Sequence, residues 1–245
     1  MAKATFRFYA ELNDFLPREV RQQEFTVACA RDATTKHMIE ALGVPHTEVE
    51  LVLVNGESAS FNRQIEDGDR IAVYPQCEAL DVTPLLRVRG QTLRRTRFVA
   101  DAHLGGLARR LRIAGFDTLY ENTLSDAAIV AVSLQEHRIV LTRDLELLKR
   151  RELTHGCYIR AIKPPEQFRE IVARLDLGDS FRPFSLCLHC NVPLRDIEKS
   201  LVAARVPPVA YARHERFRTC DQCHRVYWEG THWQRMRGLL DAVRA

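Results

Sequence analysis

Two pairs of cysteines and three widely separated aspartates carry most of the chemistry that this 245-residue chain offers. Cys187-Leu188-His189-Cys190 and Cys220-Asp221-Gln222-Cys223 are C-x-x-C knuckles with 29 residues between them. Two such knuckles supply four soft thiolates, a set that suits tetrahedral Zn²⁺ with Zn–S near ~2.3 Å. MAKATFRFYAEL at the N-terminus has no apolar segment and no small-residue cleavage site, so no secretory signal is read there. Paired C-x-x-C without one reads as metal binding rather than a disulfide framework. Four cysteines leave no open coordination position, so the zinc is expected to be structural. His189, His214, His224 and His232 could substitute in principle, but His189 and His224 are expected to face solvent or nucleic acid. Cys29, Cys77 and Cys157 are scattered.

The aspartates are Asp101, Asp126 and Asp144. Asp101 follows a short apolar strand at 97–100, Asp126 opens a helix after Ser125, and Asp144 follows a strand at 138–142. In parallel α/β sheets, ligands bind beyond the carboxyl ends of the strands. Carboxylates gathered there repel one another, and a hard divalent cation, Mg²⁺ or Mn²⁺, relieves the repulsion. Such a cation can activate water against a phosphodiester and stabilise the developing charge. Asp126 and Asp144 also stand at helix starts, where capping and the helix dipole favour a carboxylate. For all three acids together on an Arg-rich segment, the metal reading is the stronger. Arg109, Arg112 and Arg143 are expected to contact substrate phosphates or to balance these acids. The competing reading is solvated surface with salt bridges of little individual worth. Phosphate contacts would position a nucleic acid without reading its sequence.

These residues sit on a chain of ordinary globular composition, 46% hydrophobic and 28% charged. Disorder, collagen and low complexity are excluded, and no apolar run reaches the roughly 18–20 residues of a membrane span. A cytoplasmic location and no membrane partner are the expectation. The net charge of +4 hides an asymmetry. Residues 1–80 carry 8 Lys/Arg against 13 Asp/Glu, and residues 81–245 carry 28 against 19. The basic part, in which Lys149, Lys163 and Lys199 are the only lysines, faces an acidic partner.

Three blocks of elements must position the candidate residues. In residues 1–80, strands at 4–10, 24–28, 50–54 and 70–74 surround a helix at 34–42, with Asn55-Gly56 as a hairpin turn. One helix over a mixed sheet is the β-grasp pattern. Residues 81–96, with Arg87, Arg89, Arg94 and Arg95, read as a basic linker. Residues 97–178 alternate strand and helix with short loops, the signature of an α/β domain with a parallel sheet. Helices are expected at 103–115, 125–137, 144–151 and 164–175. Residues 182–245 hold the knuckles. Arg195, Lys199, Arg205, Arg213, Arg216 and Arg218 lie between them, Tyr227 and Trp228 follow, and a helix at 233–243 closes the chain. Basic residues interleaved with aromatics suit single-stranded nucleic acid, although Trp228 and Trp233 are expected mainly to pack the ribbon.

LVLVNGESASFNRQIEDGDRIAVYP at 51–75 resembles the ubiquitin-like sulfur carriers of thiamine and molybdopterin synthesis. Those carriers end in a reactive Gly-Gly. Here Gln-Cys-Glu-Ala-Leu follows instead and the chain continues, so the resemblance implies the fold and argues against carrier chemistry. VADAHLGGLARRLRIAGFDTLYEN and LSDAAIVAVSLQEHRIVLTRDLELL, from the stretch 98–148, closely resemble the PIN-like RNase family called Mut-seven C-terminal. In that family the α/β domain precedes a zinc ribbon, and bacterial members often carry an N-terminal ubiquitin-like domain. The resemblance implies a metal-dependent nuclease whose acidic positions fall on Asp101, Asp126 and Asp144. PIN domains usually have a fourth acid. Glu121 and Asp117 are the candidates here, and one- and two-metal sites both stay open.

The expectation is therefore a Mg²⁺- or Mn²⁺-dependent ribonuclease, most plainly an endonuclease leaving 5′-phosphate and 3′-hydroxyl ends, with RNA, single-stranded or structured, as its partner. The acidic N-terminal domain is expected to bind a protein or to shield the basic face. Two rivals are a non-catalytic RNA-binding adaptor, with the acids acting as caps, and an interaction scaffold built on the ubiquitin-like domain.

Overall fold

A computed structural model describes residues 2–75 and 96–244. Cys77 and the stretch bearing Arg87, Arg89, Arg94 and Arg95 lie outside them. The chain forms two compact units, one of residues 1–95 with 126–158 and one of residues 96–125 with 159–245. The linear order of blocks read from composition therefore does not coincide with the compact units.

The N-terminal part carries β1 (Lys3–Phe8), β2 (Phe25–Ala28), α1 (Thr35–Ala41), β3 (Val49–Val54), β4 (Glu57–Ser58) and β5 (Arg70–Pro75). The sheet order is β2-β1-β5-β3-β4, with β1 and β5 parallel at its centre. This is the β-grasp arrangement. Alternation along β1 buries Ala4, Phe6 and Phe8 on one face, where Met38 and Ile39 of α1 meet them. Thr34 caps α1 by accepting the His37 N–H at 3.3 Å. Asn55 and Gly56 both have positive φ, 53° and 87°, as a two-residue hairpin turn requires. Asn55 also bonds Asp69 Oδ1 at 2.8 Å and the Arg70 N–H at 2.9 Å, which fixes the register of β3 on β5. Among the elements absent from the sequence reading is the 3-10 helix Ala10–Phe15. It is held by buried Asn13, which donates to the carbonyls of Phe8 and Ala10 and accepts from the Gln22 N–H.

The chain continues as β6 (Phe98–Ala100), α2 (Gly105–Ala114), β7 (Thr118–Tyr120), α3 (Asp126–Glu136), β8 (Ile139–Thr142), α4 (Leu145–Leu148), β9 (Gly156–Tyr158) and α5 (Pro164–Arg174). This is the expected α/β alternation. β6 and β7 pair in parallel, as do β8 and β9. All three residues of β6 and all four of β8 are buried, the pattern of strands covered on both faces.

Residues 126–158 join the N-terminal unit through a 3-10 turn, His46–Glu48, whose three residues are all buried. Thr47 Oγ1 donates to the Leu148 carbonyl at 3.1 Å. His46 bonds the Leu153 carbonyl through Nε2 at 2.8 Å and Glu40 through Nδ1 at 2.6 Å. Glu48 accepts the Tyr158 N–H at 2.5 Å, and Phe15 packs edge-on against the Tyr158 ring. Gly156 makes room for this contact: a Cβ there would fall 2.4 Å from Leu148 and 3.5 Å from Thr47.

The second unit ends in a ribbon of β10 (Arg195–Ile197), α6 (Pro208–Arg213), β11 (Phe217–Thr219) and β12 (Val226–Trp228), followed by α7 (Thr231–Arg244). The three strands form an antiparallel sheet in sequence order. Phe217, Val202 and Val206 are its small core, with Trp228 packed on Phe217. Among the described residues, no helix is long and apolar enough to cross a membrane.

Candidate functional site

The two knuckles repeat one local structure. Asn191 accompanies the first and His224 the second, both at positive φ (62° and 57°), where the chain turns back. The Asn191 N–H bonds the Cys187 carbonyl at 2.9 Å, and the His224 N–H bonds the Cys220 carbonyl at 2.9 Å. Within each knuckle the second cysteine's N–H points at the first sulfur, 3.4 Å for Cys190 to Cys187 and 3.5 Å for Cys223 to Cys220. The four Sγ atoms all lie within 4.8 Å of one another, and Cys187 and Cys223 are 3.6 Å apart. Tetrahedral Zn–S bonds of ~2.3 Å put sulfurs ~3.8 Å apart, so the spacing of the cluster suits zinc.

The electrostatics agree. Burial and the neighbouring thiols push the Cys190 thiol up to about 12. Burial opposes ionisation of Cys223 too, but the Arg225 N–H and the adjacent thiols draw it down to about 6. Four thiolates gathered this closely need a divalent positive charge. Tyr227, which sequence reasoning treated only as an aromatic near the knuckle, directs its hydroxyl at Cys187 Sγ at 3.1 Å. Burial and that sulfur hold its phenol above the usual range. His189 and His224 are exposed, as expected.

The first knuckle is bound to α2 and β7. Arg112 differs here from the sequence expectation. Its side chain is only 7% exposed, with Nε donating to the Thr118 carbonyl at 2.9 Å. Nη1 donates to the carbonyls of Leu188 at 3.1 Å and His189 at 3.0 Å. A guanidinium inserted among these carbonyls is a fastener for the knuckle and is not presented to a phosphate. The helix pattern assigned Arg112 to the polar face because a fork meeting backbone carbonyls leaves no mark in apolar periodicity. Asn191 reinforces the attachment, accepting the Thr118 N–H at 2.9 Å and donating to Asp117 Oδ1 at 2.5 Å. Nothing but its place after the first knuckle marks Asn191 in the sequence.

The glycines of LGGLARRLRIAG have separate causes. A Cβ on Gly105 would fall 2.6 Å from the Tyr120 hydroxyl, and one on Gly106 2.6 Å from Pro164. Tyr120 is held by its bond to the Ala102 carbonyl at 3.0 Å. Gly115 ends α2 at φ +94° and lets the Arg182 backbone approach, where the Arg182 N–H bonds the Ala114 carbonyl at 2.8 Å.

Asp101 stands immediately beyond β6 and is half-buried, accepting the Ala102 N–H at 2.5 Å as the cap of the following 3-10 turn. The β6–β7 register pairs Phe98 with Thr118 and Ala100 with Tyr120. The next residues on the two strands are Asp101 and Glu121, so both lie at the carboxyl edge. Asp117 lies at the other end, ~13 Å from Glu121 at ~3.3 Å per residue, and is engaged by Asn191 and, at 3.8 Å, by Arg97. The fourth-acid alternatives are thus separated: Glu121 shares an edge with Asp101, and Asp117 does not.

Asp126 and Asp144 belong to the other unit. Asp126 is the first residue of α3 and is exposed. Asp144 follows β8, is exposed, and caps α4 by accepting the Glu146 N–H at 2.8 Å. α3 connects to β8 through the short turn His137-Arg138, His137 at φ 52°. The helix packs back along the strand, which puts its start at the strand's carboxyl end. Asp126 and Asp144 therefore occupy one end of this α–β unit. Arg143 is exposed beside Asp144, and Arg109 is exposed on α2.

A family model described as the Mut7-C RNAse domain matches residues 96–240, and one described as Mut7-C ubiquitin matches residues 1–81. No curated protein matches the chain. Similar solved structures include H. volcanii small archaeal modifier protein 1, at 22% identity and a TM-score of 0.26, covering 31% of this chain and 100% of its own. A molybdopterin converting factor subunit 1 of Pyrococcus furiosus, described as putative, aligns at 16% identity and a TM-score of 0.26, over 31% of this chain and all of that one.

Proposed function

The chain belongs to the Mut7-C RNAse domain family, and from that premise we propose that it is a metal-dependent ribonuclease. The family match over residues 96–240 is the observation that carries this reading. Asp101, Asp126 and Asp144 are the acids that hold Mg²⁺ or Mn²⁺, with Glu121 as a further ligand. Their donor chemistry fits, since carboxylate oxygens are what hard divalent cations take. Each acid also stands at the carboxyl end of a strand or at the start of a helix packed against one. The Asp126 side chain makes no hydrogen bond among the described residues, and Asp144 uses one oxygen for its cap. Both keep oxygens for a cation. When bound, the cation supplies a more acidic water and charge stabilisation at the phosphorus.

The carboxylates bind and orient, and Arg109 and Arg143 contact substrate phosphates. Arg112 has no part in this, because its donors fasten the first knuckle. The four-cysteine zinc keeps the ribbon folded and leaves no position for substrate. Products carry 5′-phosphate and 3′-hydroxyl ends, and attack is internal to the strand. The N-terminal β-grasp domain takes a protein partner.

The test uses a circular single-stranded RNA with zinc-loaded protein. Opening of the circle in Mn²⁺, its loss in Asp144→Asn, and a ligatable 5′-phosphate on the product are expected. Binding without cleavage in either cation, by a protein with full zinc content, would leave an RNA-binding adaptor instead.

A further inference from the structure

The second unit contains a cavity of about 510 Å³ that no step above uses. It opens among the ribbon, α2 and α7, and both tryptophans of the chain line it. Phe184, Tyr227 and Trp228 are half-exposed in its wall, and Trp233 packs beneath, its ring 5.0 Å from that of Phe184. Arg109 and Arg225 also line it. Both are exposed and neither is paired with an acid among the described residues. Three other ribbon cations, Arg195, Lys199 and Arg218, are instead each paired with a carboxylate, Asp221, Glu215 and Asp196.

We infer that this groove is a binding site for unpaired nucleotides of single-stranded RNA, with a base stacked on the aromatic wall and flanking phosphates held by Arg109 and Arg225. The volume is in the ~300–1,000 Å³ range of small-molecule sites, enough for a planar base with its sugar. Aromatic faces accept any base by stacking, and unpaired guanidiniums next to them match the anionic backbone that a base carries. An apolar peptide would leave those two charges unmatched. Residues 182–245 carry 11 Lys/Arg against 6 Asp/Glu, which adds a general attraction for the same ligand. The site deepens the ribonuclease reading and rests on it for the choice of RNA. It assigns the zinc ribbon the task of gripping the strand.

Because both tryptophans lie in the groove, intrinsic tryptophan fluorescence reports on it directly. The full-length, zinc-loaded protein is titrated without Mg²⁺ or Mn²⁺ against a ten-nucleotide oligouridylate, the same backbone without bases, and a blunt RNA duplex. The oligouridylate should quench the emission; the abasic strand and the duplex should not. Trp228→Leu should weaken binding about ten-fold. Arg109→Ala and Arg225→Ala, both at exposed positions, should weaken it several-fold and lower the salt dependence by about 0.7 each in log–log slope. Quenching by the abasic strand equal to that by oligouridylate would overturn the inference. So would unchanged affinity in both arginine variants, or emission that changes with protein concentration alone, the mark of a second copy in the groove. A parallel cleavage assay in Mn²⁺ separates the two readings. Quenching without cleavage keeps the groove and removes the nuclease; cleavage without quenching does the reverse.

Discussion

Replacing Arg112 with methionine keeps most of the side-chain volume and removes every donor. The wild-type guanidinium is 7% exposed and serves three backbone carbonyls, Thr118, Leu188 and His189, at 2.9, 3.1 and 3.0 Å. Hydrogen bonds to a charged group are worth ~1.5–3 kcal/mol each, and a buried carbonyl left unpaired costs ~1–3 kcal/mol. The three bonds share one side chain and are not additive, so a loss of about 3–5 kcal/mol is expected, similar to breaking a buried ion pair. At ~2–4 °C per kcal/mol for a chain of this size, that is a Tm roughly 10 °C lower. Arg112→Lys keeps the charge without the fork and should recover only part of it. Thermal melting by circular dichroism, with zinc release followed by a chromogenic chelator, reads both consequences. Release should precede the main transition in Arg112→Met, because the freed knuckle carries two of the four proposed zinc ligands. A Tm within ~2 °C of wild type, combined with weaker RNA binding and a smaller salt slope, would refute this reasoning. Arg112 would then be a phosphate contact after all.

Other outcomes follow from the same contacts. Zinc must displace protons from thiols such as Cys190, held near 12 in the metal-free protein. Loading should therefore release protons at pH 7.5, and acidification should eject the metal, as calorimetry in buffers of different ionisation enthalpy would register. Cys187→Ser should abolish stoichiometric zinc and melt the ribbon while leaving β-grasp signals intact by NMR. Gly115→Ala places a Cβ 2.2 Å from the Arg182 carbonyl oxygen at φ +94°, a backbone clash no rotamer relieves. A loss of about 2–4 kcal/mol in urea unfolding is expected. His46→Ala leaves the Leu153 carbonyl and Glu40 unpaired. It should cost about 2–3 kcal/mol and speed hydrogen exchange across residues 148–158.

Strand and helix order was legible in the sequence wherever periodicity or a turn signal was strong. Asn55-Gly56 announces its hairpin, Gly115 its helix end, and the spacing of the cysteines their cluster. What stayed hidden depended on contacts between distant segments. The 29 residues between the knuckles read as a basic loop, yet they hold β10, α6 and β11 in addition to the partners of Lys199 and Arg218. These strands are three residues each, too short for a period-2 pattern to register. The 3-10 turn His46–Glu48 carries three polar residues that composition assigns to the surface, and hydrogen bonds to residues about 100 positions away bury them. Glu121 and Asp117 stand as equal candidates in the sequence, and the β6–β7 register separates them by setting Glu121 level with Asp101 at the carboxyl edge and Asp117 at the opposite end.

The claim that hydrolysis depends on Asp101, Asp126 and Asp144 is tested most directly by anomalous diffraction from a crystal soaked in Mn²⁺. A manganese peak coordinated by those three carboxylates, separate from a zinc-edge peak at the four cysteines, is expected. A protein that cleaves RNA in Mn²⁺ but binds the ion away from all three aspartates would contradict it.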